Sequence, residues 1–281
     1  MTGRSLSPSK RSRRALPGLP LTLGITLTYL SLIVLIPLAG LFVRASGLGF
    51  AGLWNVLTSE RVLHALQLSF GGALVAALLD AVFGSIVAWT LVRYEFPGRR
   101  WLHSMIDLPF ALPTAVAGIA LTSLYAPNGW LGAPLEKLGI KAAYTPLGVI
   151  LAMTFISLPF TVRTLEPVLE DFSKQYEEAA ATLGASRLQT IARVVFPAMV
   201  PALLTGTALA FARAVGEYGS IIFIAGNLPN VTEIAPLLIM IRLEEFDYAG
   251  ATAIAAAMLV LSFLILLALN ALQAWKRKTA S

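Results

Sequence analysis

Four charged side chains lie inside long apolar stretches of this sequence, where charges are rare: Asp80, Asp107, Arg213 and Glu217. A charge near the centre of a bilayer costs about 2.5–3.5 kcal/mol on insertion scales, so each is a candidate for function or for buried pairing. Hydrogen-bonded packing is expected of the two aspartates. Arg213 and Glu217 are one helical turn apart and can pair. Two roles stay open for them: an ion pair within or between subunits or, with Tyr218, the lining of an anion path.

Enzyme chemistry is disfavoured by the residues that the chain lacks. It has no cysteine, and its two histidines, His64 and His103, fall near opposite membrane boundaries. Disulfides, thiolate metal sites and a cysteine nucleophile are excluded, and a histidine metal site or triad is not expected. The phosphate loop G-x-x-x-x-G-K-[ST] and the hydrolase patterns H-E-x-x-H and G-x-S-x-G are absent. We therefore predict a non-enzymatic chain with no catalytic or metal-ligating residue and no cofactor of its own.

The composition is that of an integral membrane protein. Of 281 residues, 57% are hydrophobic and 13% are charged, and the mean hydropathy is +0.77. A helix of about 20 apolar residues, rising 1.5 Å per residue, crosses the hydrocarbon. The sequence therefore predicts an all-α fold with six transmembrane helices, at about residues 20–43, 62–92, 103–126, 144–162, 198–226 and 249–274.

The rest of the chain divides around these spans. Residues 1–19 are predicted to form a basic arm, residues 20–275 a single transmembrane domain and residues 276–281 a tail.

Three prolines fall inside the third and fourth spans: Pro109, Pro113 and Pro159. Each frees a backbone carbonyl and bends its helix, which a bilayer tolerates only beside protein or a water-filled cavity. The bends are either packing kinks or part of a gate.

Lysine and arginine are unevenly divided between the two sides that six spans define. The side with both termini has Arg4, Lys10, Arg11, Arg13, Arg14, Arg93, Arg99, Arg100, Arg163, Lys174, Arg187, Arg193, Lys276, Arg277 and Lys278. The other side has Arg44, Arg61, Lys137, Lys141 and Arg242. Both termini are therefore predicted to be cytoplasmic. Orientation and anionic membrane lipid explain the net charge of +6 without a nucleic-acid partner.

The segment between the fourth and fifth spans, about residues 173–197, has the most specific spacing in the chain. In order it has Glu178-Ala179-Ala180, three residues, Gly184, nine residues, Val194, one residue, Phe196 and Pro197. Candidate caps at Ser173 and Ser186 and a candidate helix end at Gly184 predict two short exposed helices, the second closed by Pro197. The alanines allow a partner's backbone to approach closely. An ordinary amphipathic loop helix is the simpler alternative.

This spacing resembles the EAA loop of ABC-importer permeases, although Val194 and Phe196 stand where that family more often has Ile and Leu. The resemblance implies a type I importer permease fold, also called MetI-like. In that fold the loop is a cytoplasmic coupling helix that docks on a separate ATPase subunit. The implied coupling residues are Glu178, Ala179, Ala180, Gly184, Val194 and Pro197.

Further segments resemble the T-type permease subunit of bacterial sulfate/thiosulfate importers, over about residues 20–275. They are residues 95–100, 107–118, 127–132, 138–141, 144–148, 213–219 and 224–227. The element at 213–219 is shared with molybdate permeases, so it indicates an oxyanion importer. The Phe-Ala-Leu-Pro-Thr-Ala run and the Asn-Gly-Trp-Leu-Gly loop favour sulfate.

The resemblance implies the pore subunit of an ATP-driven importer in the bacterial inner membrane. The partners it implies are a related W-type permease subunit, two copies of an ABC ATPase that bind ATP and magnesium, and a periplasmic sulfate/thiosulfate-binding protein. A permease for molybdate or another oxyanion is the alternative. A secondary transporter that works without ATP is a different class, which the intramembrane charges favour and the EAA spacing disfavours.

Overall fold

The computed structural model describes residues 18–279, with side chains described in this range except at 270 and 272–279. Nearly all of the predicted basic arm and the last two residues lie outside the described part. Within it the chain forms helices and no strand, which confirms the predicted all-α class. The helices are α1 (Leu19–Ser46), α2 (Gly49–Leu57), α3 (Glu60–Arg93), α4 (Arg99–Ala111), α5 (Thr114–Tyr125), α6 (Gly132–Lys137), α7 (Pro146–Asp171), α8 (Lys174–Thr182), α9 (Arg187–Val215), α10 (Ile221–Ala225), α11 (Ala235–Glu244) and α12 (Tyr248–Thr279).

The described helices can cross a bilayer six times. Helices α1, α3, α7, α9 and α12 are each long and apolar enough to span it alone. The remaining crossing is a broken one, because α4 and α5 meet at residues 112–113 with a bend of 115°. Helix α4 packs on the second half of α7, whereas α5 packs on α10, which lies against the beginning of α7. The bent pair therefore passes from one end of the bundle to the other.

The two ends of the bundle carry different elements. The last turns of α3 and α7 and all of α8 lie at one end, which we call the α8 end. The beginning of α3 meets the loop before α11 at the opposite end. There Arg44, near the end of α1, lies over the ring of Tyr248, at the beginning of α12, with 5.2 Å to the ring centroid. Because α1 and α12 both cross the bundle, the described chain begins and finishes at the α8 end.

Helices α3, α7 and α9 form the core, and small residues let them approach one another closely. The buried face of α3 is a stripe at helical spacing: Ala65, Ser69, Gly72, Ala73, Ala76, Ala77, Asp80, Gly84 and Ala88. Such faces associate in lipid, where packing replaces the hydrophobic effect as the driving force. A Cβ on Gly84 would lie 2.9 Å from Thr161 Cγ2, and one on Gly206 would lie 3.1 Å from Thr161 Cα. Thr161 of α7 therefore sits between glycines of α3 and α9.

Two spanning segments are interrupted, and the interruption of the fifth lies against the first turns of α5, which directly follow the interruption of the third. The fifth crossing leaves helical geometry after Val215 and resumes at Ile221. A Cβ on Gly118 of α5 would lie 2.8 Å from the Cα of Ser220. In the same contact, a Cβ on Gly219 would lie 3.0 Å from the Cβ of Thr114. The approach of the two backbones therefore requires a residue without a side chain at both glycine positions.

The boundaries of two spans differ from the sequence predictions. Helix α7, the fourth predicted span, continues beyond residue 162 to Asp171, so Arg163 lies inside the helix and not beyond its end. There Arg163 forms an ion pair with Asp107 of α4. The fifth span, predicted as unbroken over residues 198–226, is interrupted at residues 216–220.

The glycine contact between the interrupted spans leads to a stability prediction. We expect Gly118→Ala to lower the free energy of unfolding by about 1–3 kcal/mol, because the added methyl group overlaps the backbone at Ser220. The matched control is Gly71→Ala in α3, where a Cβ meets nothing within 4 Å. It should be neutral or stabilising by up to about 1 kcal/mol. Thermal unfolding in detergent measures both, and equal midpoints would refute the contact.

Candidate functional site

The loop between α7 and α9 begins with a short capped helix. The hydroxyl of Ser173 accepts a hydrogen bond of 3.3 Å from the backbone N–H of Gln175, which fixes the beginning of α8. The helix finishes at Thr182, and Gly184 follows with a φ of +82°. That left-handed conformation favours glycine and turns the chain toward α9.

The second part of the loop is also capped, but it does not finish where the sequence analysis places its end. Ser186 and Gln189 form a capping box, in which the Gln189 side chain accepts from the Ser186 N–H at 2.8 Å. Pro197 does not close this helix, which continues to Val215. The physical reason is a π-helical turn at Ile191–Val195, which shifts the hydrogen-bond register just before the proline.

The coupling residues predicted from the sequence lie at or near the surface of the α8 end. Glu178, Ala179, Gly184 and Pro197 are exposed, and Ala180 and Val194 are half-buried. Two leucines of the loop are uncovered, and the Leu183 side chain is 88% exposed. Leu188, at the beginning of α9, is exposed as well. The loop thus presents small and apolar side chains outward.

An ion pair that the sequence analysis did not single out joins α8 to α3. A guanidinium nitrogen of Arg93 lies 2.7 Å from a carboxylate oxygen of Glu177. Arg93 also donates a hydrogen bond of 3.1 Å to the carbonyl of Phe172, the residue that follows α7. Glu177 directly precedes the Glu-Ala-Ala element. The sequence could not predict its pairing with Arg93, because the two residues are 84 positions apart and only the fold brings them together.

Arg213 and Glu217 form the ion pair that their spacing predicts, with 2.6 Å between nitrogen and oxygen. Glu217 is 2% exposed, and its other oxygen accepts from both the N–H and the hydroxyl of Ser220 at 2.9 Å. It therefore fixes the interruption between α9 and α10. Arg213 is 31% exposed, and Tyr218 is half-buried beside it in sequence. The carboxylate is thus enclosed, whereas the guanidinium is open to its surroundings.

The other intramembrane acids have separate partners. Asp80 is buried and accepts a hydrogen bond of 2.5 Å from the hydroxyl of Ser157. Asp107 pairs with Arg163, whose guanidinium also donates to Glu166 at 2.6 Å. These contacts tie α3 and α4 to α7. Among the described residues no group of three acidic, histidine or cysteine side chains is placed to hold a metal ion.

Comparisons with known proteins agree on one family. Residues 80–278 match the family model described as binding-protein-dependent transport system inner membrane component. The sulfate transport system permease protein CysT of Salmonella typhimurium is 50% identical over 262 residues, covering 93% of this chain and 95% of the relative. The protein of the same name from Synechocystis is 48% identical over 257 residues, covering 92% of this chain and 90% of the relative.

Solved structures show the same fold at low identity. A chain in the crystal structure of a bacterial alginate ABC transporter, in complex with an alginate pentasaccharide-bound periplasmic protein, gives a TM-score of 0.73. It is 19% identical, and the match covers 90% of this chain and 92% of that one. A chain of an amino acid ABC transporter gives a TM-score of 0.52 at 16% identity, with coverage of 77% and 92%. This likeness confirms the predicted ABC-importer permease fold.

The family match covers most of the chain, and the relatives match nearly all of it. Their names describe transport permeases, which agrees with a multi-pass apolar bundle and confirms the prediction of a non-enzymatic component. The chain therefore belongs to the family of binding-protein-dependent transport system inner membrane components, as a permease of the ABC-importer fold.

Proposed function

We propose that this chain is the pore subunit of an ATP-driven importer of sulfate. The observation that carries the proposal is the 50% identity, over nearly the whole chain, to a sulfate transport system permease protein. Thiosulfate is proposed as a second substrate on the sequence resemblance alone. A permease for molybdate or another oxyanion is the alternative, because the element at residues 213–219 does not separate these anions.

The energetics of the substrate require an external energy source. Moving one negative charge into a cell with a negative interior costs about 2.3 kcal/mol per 100 mV, and therefore about 4.6 kcal/mol for a divalent anion. A concentration gradient adds to this cost. The chain has no phosphate-binding loop, so the proposed energy source is a separate ATPase.

The proposed docking surface for that ATPase is the loop of residues 173–197. Its support is the outward-facing set of small and apolar side chains, above all Ala179 and Leu183. An alanine face suits insertion into a groove because a partner's backbone can approach it closely. Glu178 is proposed to contact backbone or basic groups of the ATPase, with Ala180 and Gly184 allowing the fit and Val194 and Pro197 setting the exit of the loop.

The proposed transport cycle follows from this docking. ATP binding closes two ATPase subunits, whose grooves carry α8 inward, and the spanning helices rock from an inward-facing to an outward-facing arrangement. The oxyanion then passes from a periplasmic binding protein into the pore, which this chain and a related W-type permease form together. The α8 end and both termini are cytoplasmic in this proposal, residues 20–275 make up one transmembrane domain, and the chain resides in the bacterial inner membrane.

Arg213 is the proposed positive group on the anion path. Its support is the asymmetry of the ion pair, in which Glu217 is held by Ser220 while the guanidinium stays partly open. The open side of Arg213 can therefore attract an anion without releasing Glu217. The structural role alone is the alternative, and the two are separated by the second experiment below.

The docking surface is tested by charging an uncovered leucine. We expect Leu183→Asp to reduce copurification of the ATPase by about tenfold or more, because an interface anchor contributes about 2 kcal/mol or more. Folding should be unaffected, since the side chain makes no core contact and is 88% exposed. The matched control is Leu138→Asp at the opposite end, where the leucine is 75% exposed. Unchanged ATPase binding by Leu183→Asp would contradict the proposed surface.

The anion path is tested by ATP-dependent uptake in proteoliposomes that contain the whole importer. Labelled sulfate, thiosulfate and molybdate are compared, and we expect sulfate to be taken up. Arg213→Gln with Glu217→Gln should weaken the apparent affinity for sulfate about tenfold, because a charged hydrogen bond contributes about 1.5–3 kcal/mol. Using both changes together avoids leaving a buried carboxylate unpaired.

The control for the loss of positive charge is Lys137→Gln, which lies on an exposed part of the opposite end. It should leave the apparent affinity unchanged. If the double variant lowers only the amount of assembled importer and not its affinity, the pair is structural. If molybdate rather than sulfate is transported, the substrate assignment is wrong and the permease assignment stands.

A further inference from the structure

Helix α3 has an arginine near each of its ends, and each arginine is paired with a glutamate of a loop. At the α8 end Arg93 pairs with Glu177 at 2.7 Å. At the opposite end Arg61 binds Glu233 through two hydrogen bonds of 2.7 Å and 2.8 Å. The two arginines are separated by 32 residues of unbroken helix, a rise of about 48 Å.

The joint at the α8 end is partly sheltered from water. The Arg93 side chain is 8% exposed, and its guanidinium lies 5.4 Å from the ring centroid of Trp89 and 6.0 Å from that of Phe172. Aromatic faces hold a guanidinium in place, and shelter from solvent strengthens its attraction to Glu177. The negative end of the α3 macrodipole favours a cation at this position as well.

Side chains, more than close packing, link α8 to α3. A cavity of about 360 Å³ lies between them, lined on the α3 side by Trp89 and Tyr94 and on the loop side by Glu177, Ala181 and Ile191 among others. The chain itself ties α8 to α7 through residues 172–173 and to α9 through residues 183–186. The Arg93 contacts therefore add a third attachment, to a helix that has no covalent link to the loop.

At the opposite end the carboxylate is the enclosed partner, whereas Arg61 is 33% exposed. The Glu233 side chain is 1% exposed, and the loop that carries it precedes α11. Near it the Ser69 hydroxyl of α3 accepts a hydrogen bond of 2.8 Å from the N–H of Ala235. The loop before α11 is thus fixed to α3 at two successive points, and a carboxylate buried this far depends on its arginine.

Among the three core helices, α3 is the candidate for a mechanical link because it contains no proline, whereas α7 contains Pro159 and Pro167 and α9 contains Pro197 and Pro201. Proline kinks a helix by removing a backbone hydrogen bond. Helix α3 also stays helical through Gly71-Gly72 and Gly84-Ser85, the other kind of sequence at which helices kink. Displacement at one end of α3 is therefore passed to the other end.

We propose that α3 is a connecting rod that links the coupling loop to the loop before α11 through the Arg93–Glu177 and Arg61–Glu233 joints. This inference rests on the proposed function, because it assigns the route by which the ATPase-docking loop communicates with the opposite, binding-protein side. Arg93 and Arg61 are positioning residues, and neither touches the anion. Docking of the loaded binding protein at the opposite end thereby affects the α8 end. In the other direction, nucleotide-driven movement of α8 reaches the binding-protein side.

The test uses the whole importer in proteoliposomes and measures the stimulation of ATP hydrolysis by the sulfate-loaded binding protein. Arg93→Gln should reduce stimulation and uptake about tenfold, and so should Arg61→Gln combined with Glu233→Gln, which leaves no buried carboxylate unpaired. About tenfold is the usual scale of coupling between distant sites. Copurification of the ATPase and basal ATP hydrolysis should stay at the levels of the importer with the unaltered chain. Two control variants each remove one positive charge from an exposed side chain. They are Arg100→Gln at the α8 end and Lys137→Gln at the opposite end.

Rescue distinguishes the ion pair from simple loss of an arginine. Arg93→Glu together with Glu177→Arg restores the opposite charges but not the guanidinium's contacts with the Phe172 carbonyl and the rings of Trp89 and Phe172. It should therefore recover part of the stimulation that either single change removes. Because the chain has no cysteine, spin labels can be attached at chosen positions. They provide a spectroscopic measurement that does not depend on the ATPase. Spin labels on Glu95→Cys and Gln175→Cys, in the full chain in nanodiscs, should give a narrow distance distribution that Arg93→Gln broadens.

The outcomes separate this inference from the proposed function. Full stimulation by Arg93→Gln or by the Arg61→Gln, Glu233→Gln double variant, or an unchanged distance distribution, would overturn the connecting-rod role while leaving the importer assignment intact. Failure of the unaltered chain to bind any ATPase would overturn the proposed function itself. Loss of ATPase binding by Arg93→Gln would also count against the rod, since that result assigns the arginine to docking.

Discussion

The architecture depends on one contact between the broken spans, where the interruption of the fifth span lies against the first turns of α5. Irregular backbone inside a bilayer is tolerated only where protein satisfies its polar groups. Here Glu217 accepts from the N–H and hydroxyl of Ser220, and Gly118 and Gly219 allow the two backbones to meet. The interruption of the fifth span would not be stable against lipid alone. That span can leave helical geometry because Glu217 satisfies Ser220 and α5 covers the break.

Charge is balanced locally in the same bundle. Three buried glutamates each have an arginine partner: Glu166 with Arg163, Glu217 with Arg213 and Glu233 with Arg61. Removing one member of such a pair leaves an uncompensated buried charge, so the pairs constrain which helices can be neighbours. Asp80 differs, because a hydroxyl is its partner and its second carboxylate oxygen has no hydrogen bond. The pairs lie at the ends and at the interruptions of the spans, where they fix loops and breaks to the straight helices.

Local sequence signals predicted the elements, whereas long-range pairing decided their limits. The six apolar runs are readable from composition, and the serine caps at 173 and 186 and the turn at Gly184 are readable within a few residues. The structure has the caps, the turn and helices over all six runs, with the third and fifth runs interrupted. The extension of α7 through Arg163 was not readable, because its partner Asp107 is 56 residues away. The same holds for the Arg93–Glu177 pair. The roles of the coupling residues stay predictions, since they depend on contacts that this chain makes with other subunits.

In this proposal the unbroken helix α3 transmits movement, and the breaks in the other spans allow their segments to move. The few non-helical residues at 112–113 and 216–220 can absorb changes in φ and ψ, so the segments on either side of them can move as separate bodies. Helix α3 has no such break, and its small-residue face holds it against both α7 and α9. A force applied at α8 therefore moves α3 as one piece. In this proposal α5 and α10, which are packed together beyond the breaks, move as one unit with the end of the core where α10 lies against the beginning of α7.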